Sequence, residues 1–176
     1  MSNEQKEISG KTRRLRAARL AAIQAFYDIE LTGHSLTRVM SDFAHRGGTA
    51  TLEEKELAAD SDLFHDILRG VDSRKEDLDR ILDTVMANRK IERLEVIMRA
   101  LLRCGAYEIL GRNDIDSPIS ISEYVAIASS FFDGSEPSFV NGVLDKVART
   151  VESDDLGNEA ADQIDETEDE DFDPIA

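Results

Sequence analysis

The sequence has no tryptophan, one cysteine, three histidines and three prolines among 176 residues, and each scarcity removes a class of protein. A lone cysteine, Cys104, rules out an internal disulfide framework and fits a reducing compartment. His34, His45 and His65 stand at no recognisable ligand spacing from one another or from Cys104, so no metal site is expected. No stretch approaches the roughly 18 consecutive apolar residues of a membrane span. The N-terminus is charged and lacks the apolar core of a secretory signal. The expectation is a cytoplasmic chain with no membrane partner. Gly47-Gly48 lacks the lysine that would make a phosphate loop. Carboxylates are plentiful, but without a placed pocket none can be given acid or base roles. Binding rather than catalysis is expected, with no catalytic residue and no cofactor.

What is abundant is negative charge, and it is unevenly placed. The formal net charge is −16, but twelve acidic residues and no basic ones lie between Glu152 and the C-terminus, so residues 1–151 carry only −4. Within that remainder Lys11 to Arg19 holds five positive charges and no negative one. The composition therefore divides the chain into a flexible N-terminus (1–10), a folded domain (11–151) and an acidic tail (152–176). Like-charge repulsion and little apolar area to bury predict a disordered tail.

Apolar periodicity predicts an all-α fold. Leu15, Ala18, Ala22, Phe26 and Ile29 recur at three and four, and Gly33 follows as a left-handed helix end. A short helix is expected through Leu36, Val39, Met40 and Phe43. Thr51 to Glu54 has capping-box spacing and predicts a helix start, which Gly70 would close. Asp72 would cap the next helix, with Leu78, Ile81, Leu82 and Val85 inward. Leu94, Ile97, Met98, Leu101, Leu102, Gly105 and Ile109 mark the central helix, where Cys104 reads as a small buried hydrophobe. Ser120 to Glu123, after Pro118, is a second capping-box pattern. Ser135-Glu136-Pro137 opens a last helix whose apolar face is Phe139, Val140, Val143, Leu144 and Val147.

On the first helix, at roughly 100° per residue, Arg13 and Arg16 point away from the apolar stripe. Arg19 flanks that stripe, and Tyr27 projects on nearly the same side as Arg16. Arginine forks pair with phosphates, and a ring stacks on an unpaired base, so the pattern suits RNA. Lys11 and Arg14 add charge near the helix start. The charge pattern alone supports equally a merely solvated face with Tyr27 packed on a neighbour.

Three segments taken together resemble the NusB family of bacterial transcription antitermination factors. They are Arg16-Ala17-Ala18-Arg19-Leu20-Ala21-Ala22-Ile23-Gln24-Ala25-Phe26-Tyr27, then Leu102-Arg103-Cys104-Gly105-Ala106-Tyr107-Glu108-Ile109-Leu110, then Phe139-Val140-Asn141-Gly142-Val143-Leu144-Asp145-Lys146. The resemblance spans roughly residues 11–150 and implies a compact bundle of about seven helices. It implies binding of single-stranded, boxA-like RNA from ribosomal operon leaders together with the ribosomal protein NusE, in the RNA polymerase antitermination complex. Arg16, Arg19 and Tyr27 fall on family positions associated with RNA contact, and Phe139 on a second contact region. Arg13 and Arg14 precede the match and rest on charge alone. Asn141 reads either as a residue that caps or bridges helices or as an RNA contact, and Gly105 and Tyr107 as packing residues. The chain departs from the family pattern at Ser138, where many relatives have lysine, and at Ser122 and Ser129-Ser130. The same module occurs as the N-terminal part of ribosomal RNA cytosine methyltransferases, which carry a large catalytic domain downstream. A helical protein-interaction factor without RNA affinity is the third reading. A homodimer also stays open, because a face that buries RNA or NusE could bury a second copy.

Overall fold

Alanine-rich surfaces let helices approach closely, and the fold is organised around two of them. The computed structural model describes residues 3–162. The elements in order are α1 (Asn3–Thr32), α2 (Leu36–His45), β1 (Thr49–Leu52), β2 (Lys55–Ala58), α3 (Ser61–Met86), α4 (Val96–Gly111), α5 (Ser117–Phe131) and α6 (Glu136–Asp162). A single 3-10 turn, Ile91–Arg93, precedes α4. The all-α expectation holds, with six α-helices and the 3-10 turn among the described residues and one short antiparallel hairpin added.

The central helix is α4, in which every residue from Ala100 to Ile109 is buried and which packs against α1, α3, α5 and α6. Gly105 permits its close approach to α6, since a Cβ there would lie 2.8 Å from Leu144. Cys104 is fully buried, and burial pushes its thiol pKa up, away from reactivity. On α1 every residue from Ala17 to Ile23 is buried, so this segment has no solvated side. Phe43 of α2 stacks on Phe64 of α3 with ring centroids 3.7 Å apart, which anchors the short helix.

Several helix boundaries differ from those the sequence predicts. Thr51 to Glu54 does not start a helix but forms the end of β1 and its turn. Glu53 and Glu54 have φ of 49° and 62°, the two positive values that a tight hairpin turn requires. The helix start lies at Asp60, whose carboxylate accepts from the Leu63 amide at 2.9 Å. Gly70 does not close that helix, and Asp72 caps nothing; α3 runs through both to Met86. Gly70 is there because a Cβ would lie 2.0 Å from the Tyr107 ring. The second capping-box segment is likewise interior: α5 begins at Ser117 with Pro118 in its first turn, and Ser120 and Glu123 point into the protein. Gly33 and Ser135 stand at helix ends as predicted.

The outer boundaries shift too. α1 begins at Asn3, so residues 3–10 are helical. α6 continues past the composition break at Val151 to Asp162. Once a packed segment has nucleated a helix, each added residue gains one hydrogen bond, and an acidic composition alone does not stop it. The rest of the predicted tail, 163–176, lies outside the described residues. No helix among the described residues is long and apolar enough to cross a membrane.

Candidate nucleic-acid interface

The arginines expected on one face of α1 separate into two groups. Arg13 and Arg14 are exposed, and neither makes an ion pair among the described residues. With Arg16 they line a cleft of about 510 Å³ between α1, the hairpin and α5, floored by Leu20, Leu57 and Ile127. Two contacts hold the hairpin in place as the cleft's far wall. The Gln24 side-chain amide donates to the Thr51 carbonyl at 2.5 Å, and the Asp60 amide donates to the Arg14 carbonyl at 2.9 Å.

Arg19 belongs to the core, which corrects its expected place on the RNA-contacting edge. Its guanidinium is 3% exposed and grips the fully buried Glu108 through Nη2–Oε1 at 2.6 Å and Nε–Oε2 at 3.0 Å. Ser120 and Tyr124 hydroxyls donate to the same carboxylate at 2.9 and 3.0 Å, so both oxygens are satisfied several times over. The reason lies in the flanking sequence: alanines on both sides of Arg19 widen the buried face of α1 until it includes position 19. Burial and the neighbouring Glu108 carboxylate raise the Tyr124 phenol, keeping it a neutral donor.

Arg16 bridges the two groups. Its side chain is 52% exposed, yet Nε and Nη2 donate to Glu123 at 2.7 and 2.8 Å. Glu123 also lies 3.7 Å from Arg19. Hydrogen bonds from Arg16 hold its carboxyl below the ordinary range against the opposing effect of burial. One edge of the Arg16 fork is thereby fixed while the other faces solvent, a preoriented donor at the rim of the cleft.

Tyr27 is 41% exposed, three helical turns beyond Arg16 on nearly the same side. α1 runs antiparallel to α4: Arg19 meets Glu108 near the end of α4, whereas Glu30 accepts from Arg99 at 2.6 Å and from Arg103 at 2.6 Å nearer its start. Tyr27 therefore lies toward the start of α4, away from the arginine cleft.

Phe139 is half-buried in the first turns of α6, and the Arg89 guanidinium sits 4.8 Å above its ring. It lines a separate pocket of about 330 Å³ with Arg93 and Met98, and the structure does not bring it to the arginine cleft. Asn141 is exposed and bridges nothing among the described residues, against the first of its two readings, while Tyr107 packs against Gly70 and donates to Asp66 at 3.1 Å. Sequence reasoning missed Glu108 and Glu123, the carboxylates that divide the arginines. The signal was an acid inside an apolar run, Tyr107-Glu108-Ile109, which demands a buried cationic partner. Among the described residues no group of three or more potential ligands could hold a metal ion.

Comparison with known proteins bears on this arrangement. The NusB family model matches residues 16–149. The transcription antitermination protein NusB of Maricaulis maris is 35% identical over 157 residues, covering 88% of this chain and 98% of the relative. That of Novosphingobium aromaticivorans is 42% identical over 148 residues, covering 82% and 98%. Among solved structures, T. maritima NusB superimposes with a TM-score of 0.62 at 26% identity, covering 76% of this chain and 89% of its own. A crystal structure of the antitermination factors NusB and NusE in complex with dsRNA shares the fold, with a TM-score of 0.63 at 18% identity over 77% of this chain and 96% of that one. The match takes in Arg16, Arg19, Tyr27 and Phe139 and leaves Arg13 and Arg14 outside. By both the extent of the family match and the identity to curated relatives, this chain belongs to the NusB family.

Proposed function

We propose that this protein is a cytoplasmic, non-enzymatic transcription antitermination factor that binds boxA-like single-stranded RNA together with NusE. The observation that carries the reading is the cleft beside α1, where Arg13 and Arg14 are exposed without carboxylate partners and Arg16 is held half-exposed by Glu123. Unpaired guanidinium groups at a cleft rim are what a phosphate backbone recruits, and a fixed fork adds geometric selectivity. Tyr27 and Phe139 supply rings for unstacked bases. Arg19 acts from inside, placing Glu123 and through it Arg16. The relatives named as antitermination proteins, and the NusB–NusE complex with RNA among proteins of the same fold, support the partner assignment.

The test is RNA binding with and without NusE, using boxA and scrambled sequences, on wild type and an Arg16→Ala/Tyr27→Ala double variant. A boxA preference that the double variant loses is expected. Equal affinity for both sequences in either setting would overturn the proposal.

A further inference from the structure

The cleft beside α1 is more apolar than its arginines require. Beneath Arg13 and Arg14 it is walled by Leu20 of α1, Leu52 and Leu57 of the hairpin and Ile127 of α5. A phosphate needs donors, and none of these side chains supplies one. Leu57 nevertheless stays 37% exposed, on a strand whose every residue is exposed. Glu56, the one carboxylate among the described lining residues, is turned to the hairpin, where it accepts from the Thr49 hydroxyl and from that of Thr51 at 2.9 Å. A cationic rim over an apolar interior fits an acidic peptide that carries large apolar side chains. The volume of about 510 Å³ lies within the roughly 300–1,000 Å³ of pockets that bury a small ligand, which leaves room for such side chains.

The chain itself contains such a peptide. Residues 163–176, outside the described residues, hold seven carboxylates and no cation around Ile164, Phe172 and Ile175. Solvation by carboxylates has no use for an aromatic ring, yet Phe172 is the one aromatic residue after Phe139. Its distance from the cleft is also suitable. A Cβ on Gly105 would meet Leu144 of α6 at 2.8 Å and Tyr124 of α5 at 3.4 Å, so the two helices are level there. Ile127 lies about one turn beyond that level, whereas α6 carries the backbone about 27 Å the other way from Leu144 to Asp162. The return is that length, one more turn of about 5 Å, and one helix diameter of about 10 Å across. Extended chain from Asp162 covers roughly 33–36 Å by Phe172 and roughly 43–47 Å by Ile175. A seat that a tether can span is filled at an effective concentration on the order of millimolar, so weak contacts suffice.

We infer that residues 163–176 fold back onto this cleft, with Phe172 and Ile175 on its apolar floor and Asp171 and Asp173 on Arg13 and Arg14. The docking stands on the cleft and the segment alone. Its consequence rests on the RNA-binding reading above: the segment holds the phosphate sites from within, and an RNA must displace it. Ligands that make several contacts succeed, and a stray phosphate backbone does not.

The chain has no tryptophan, so Phe172→Trp places a single indole in the docking segment of the full-length protein. Its emission and acrylamide quenching are measured alone and with Leu57→Ser or Arg13→Ser/Arg14→Ser, all exposed positions, with circular dichroism to verify folding. Blue-shifted emission is expected, with a quenching constant several-fold below that in concentrated urea and independent of protein concentration. Each cleft variant should release the indole. Quenching as strong as in urea overturns the docking, and an indole still shielded in both cleft variants overturns the seat. Shielding that fades on dilution assigns the segment to a second copy and overturns the intramolecular contact. Added boxA RNA should free the indole, and RNA bound beside a shielded indole overturns the competition. A shielded indole in a chain that binds no RNA supports the docking and defeats the RNA reading alone.

Discussion

Arg19 and Glu108 form a fully buried ion pair, joined by three hydrogen bonds, that ties α1 to the C-terminal end of α4, with the shortest contact at 2.6 Å. Removing one member strands the other's charge in the interior, which costs about 3–5 kcal/mol. Arg19→Ala is thus expected to lower unfolding stability by that order in a urea titration, and Arg19→Lys to lose much of it because an ammonium cannot span both oxygens. Arg16→Ala removes a half-exposed side chain and should cost far less stability. The contrast checks the division of labour: equal losses for Arg16 and Arg19 would mean that the two arginines do the same work.

Acid should expose the ion pairs that staple α1 to the rest of the bundle. Burial opposes ionisation of Glu30, but hydrogen bonds from Arg99 and Arg103 outweigh it and hold its pKa below the ordinary value of 4.5. The Glu123 pKa is lowered in the same direction, chiefly by its hydrogen bonds to Arg16. A carboxylate with a depressed folded-state pKa contributes stability that is complete above its unfolded pKa and lost as pH falls through the folded one. Thermal midpoints should therefore hold near neutrality and fall below about pH 4.5, with a shallower acid fall in Glu30→Gln and Glu123→Gln. An acid fall of undiminished steepness in both variants would show that other groups control it.

On RNA, the α1 arginines and Tyr27 should produce different signatures. Arg13→Ala and Arg14→Ala each remove an unpaired surface charge. Each should weaken boxA and scrambled RNA alike, lowering the salt slope by about 0.7 if it contacts one phosphate. Tyr27→Ala should leave the slope intact while weakening binding by about 1–3 kcal/mol, the usual worth of one base–aromatic stack. A Tyr27 effect that vanishes at high salt would point to charge rather than stacking.

Residues 163–176 carry seven acidic residues and no basic one. Charge alone makes them competitors of RNA for Arg13, Arg14 and Arg16. Deleting 163–176, which leaves α6 whole, should strengthen binding to scrambled RNA, mostly at low salt. Matching affinities of the full and shortened chains across the salt titration would remove that role.

Much of the fold was legible because its helices carry strong apolar periodicity, and α4 and the N-terminal half of α6 lie where their stripes place them. The hairpin was not legible. Its four-residue strands show no sustained alternation, and the capping-box spacing of Thr51 and Glu54 arises from a turn that borrows the same residue types. Of the site, the exposure of Arg13, Arg16 and Tyr27 followed from helical geometry. The burial of Arg19 did not, because the stripe counted Ala18 and Ala22 but left out Ala17 and Ala21, which are packing surface as well and widen the buried face.

Gly70 tests whether the long α3 is held by its contact with α4 or by its own propensity. In an exposed helix interior, replacing glycine with alanine gains roughly 1 kcal/mol. Here the new methyl would lie 2.0 Å from the Tyr107 ring, which also meets Gly111 closely and is tethered by its hydroxyl to Asp66 at 3.1 Å. The ring cannot yield without breaking that hydrogen bond, and overpacking of this kind typically costs about 1–3 kcal/mol. Gly70→Ala is therefore expected to destabilise the fold despite better helix propensity. In a Tyr107→Ala background, where the ring is gone, the same substitution should become neutral or stabilising. A double-mutant cycle of urea midpoints measures the coupling. Independent effects at the two sites would show that the α3–α4 contact does not set the identity of residue 70.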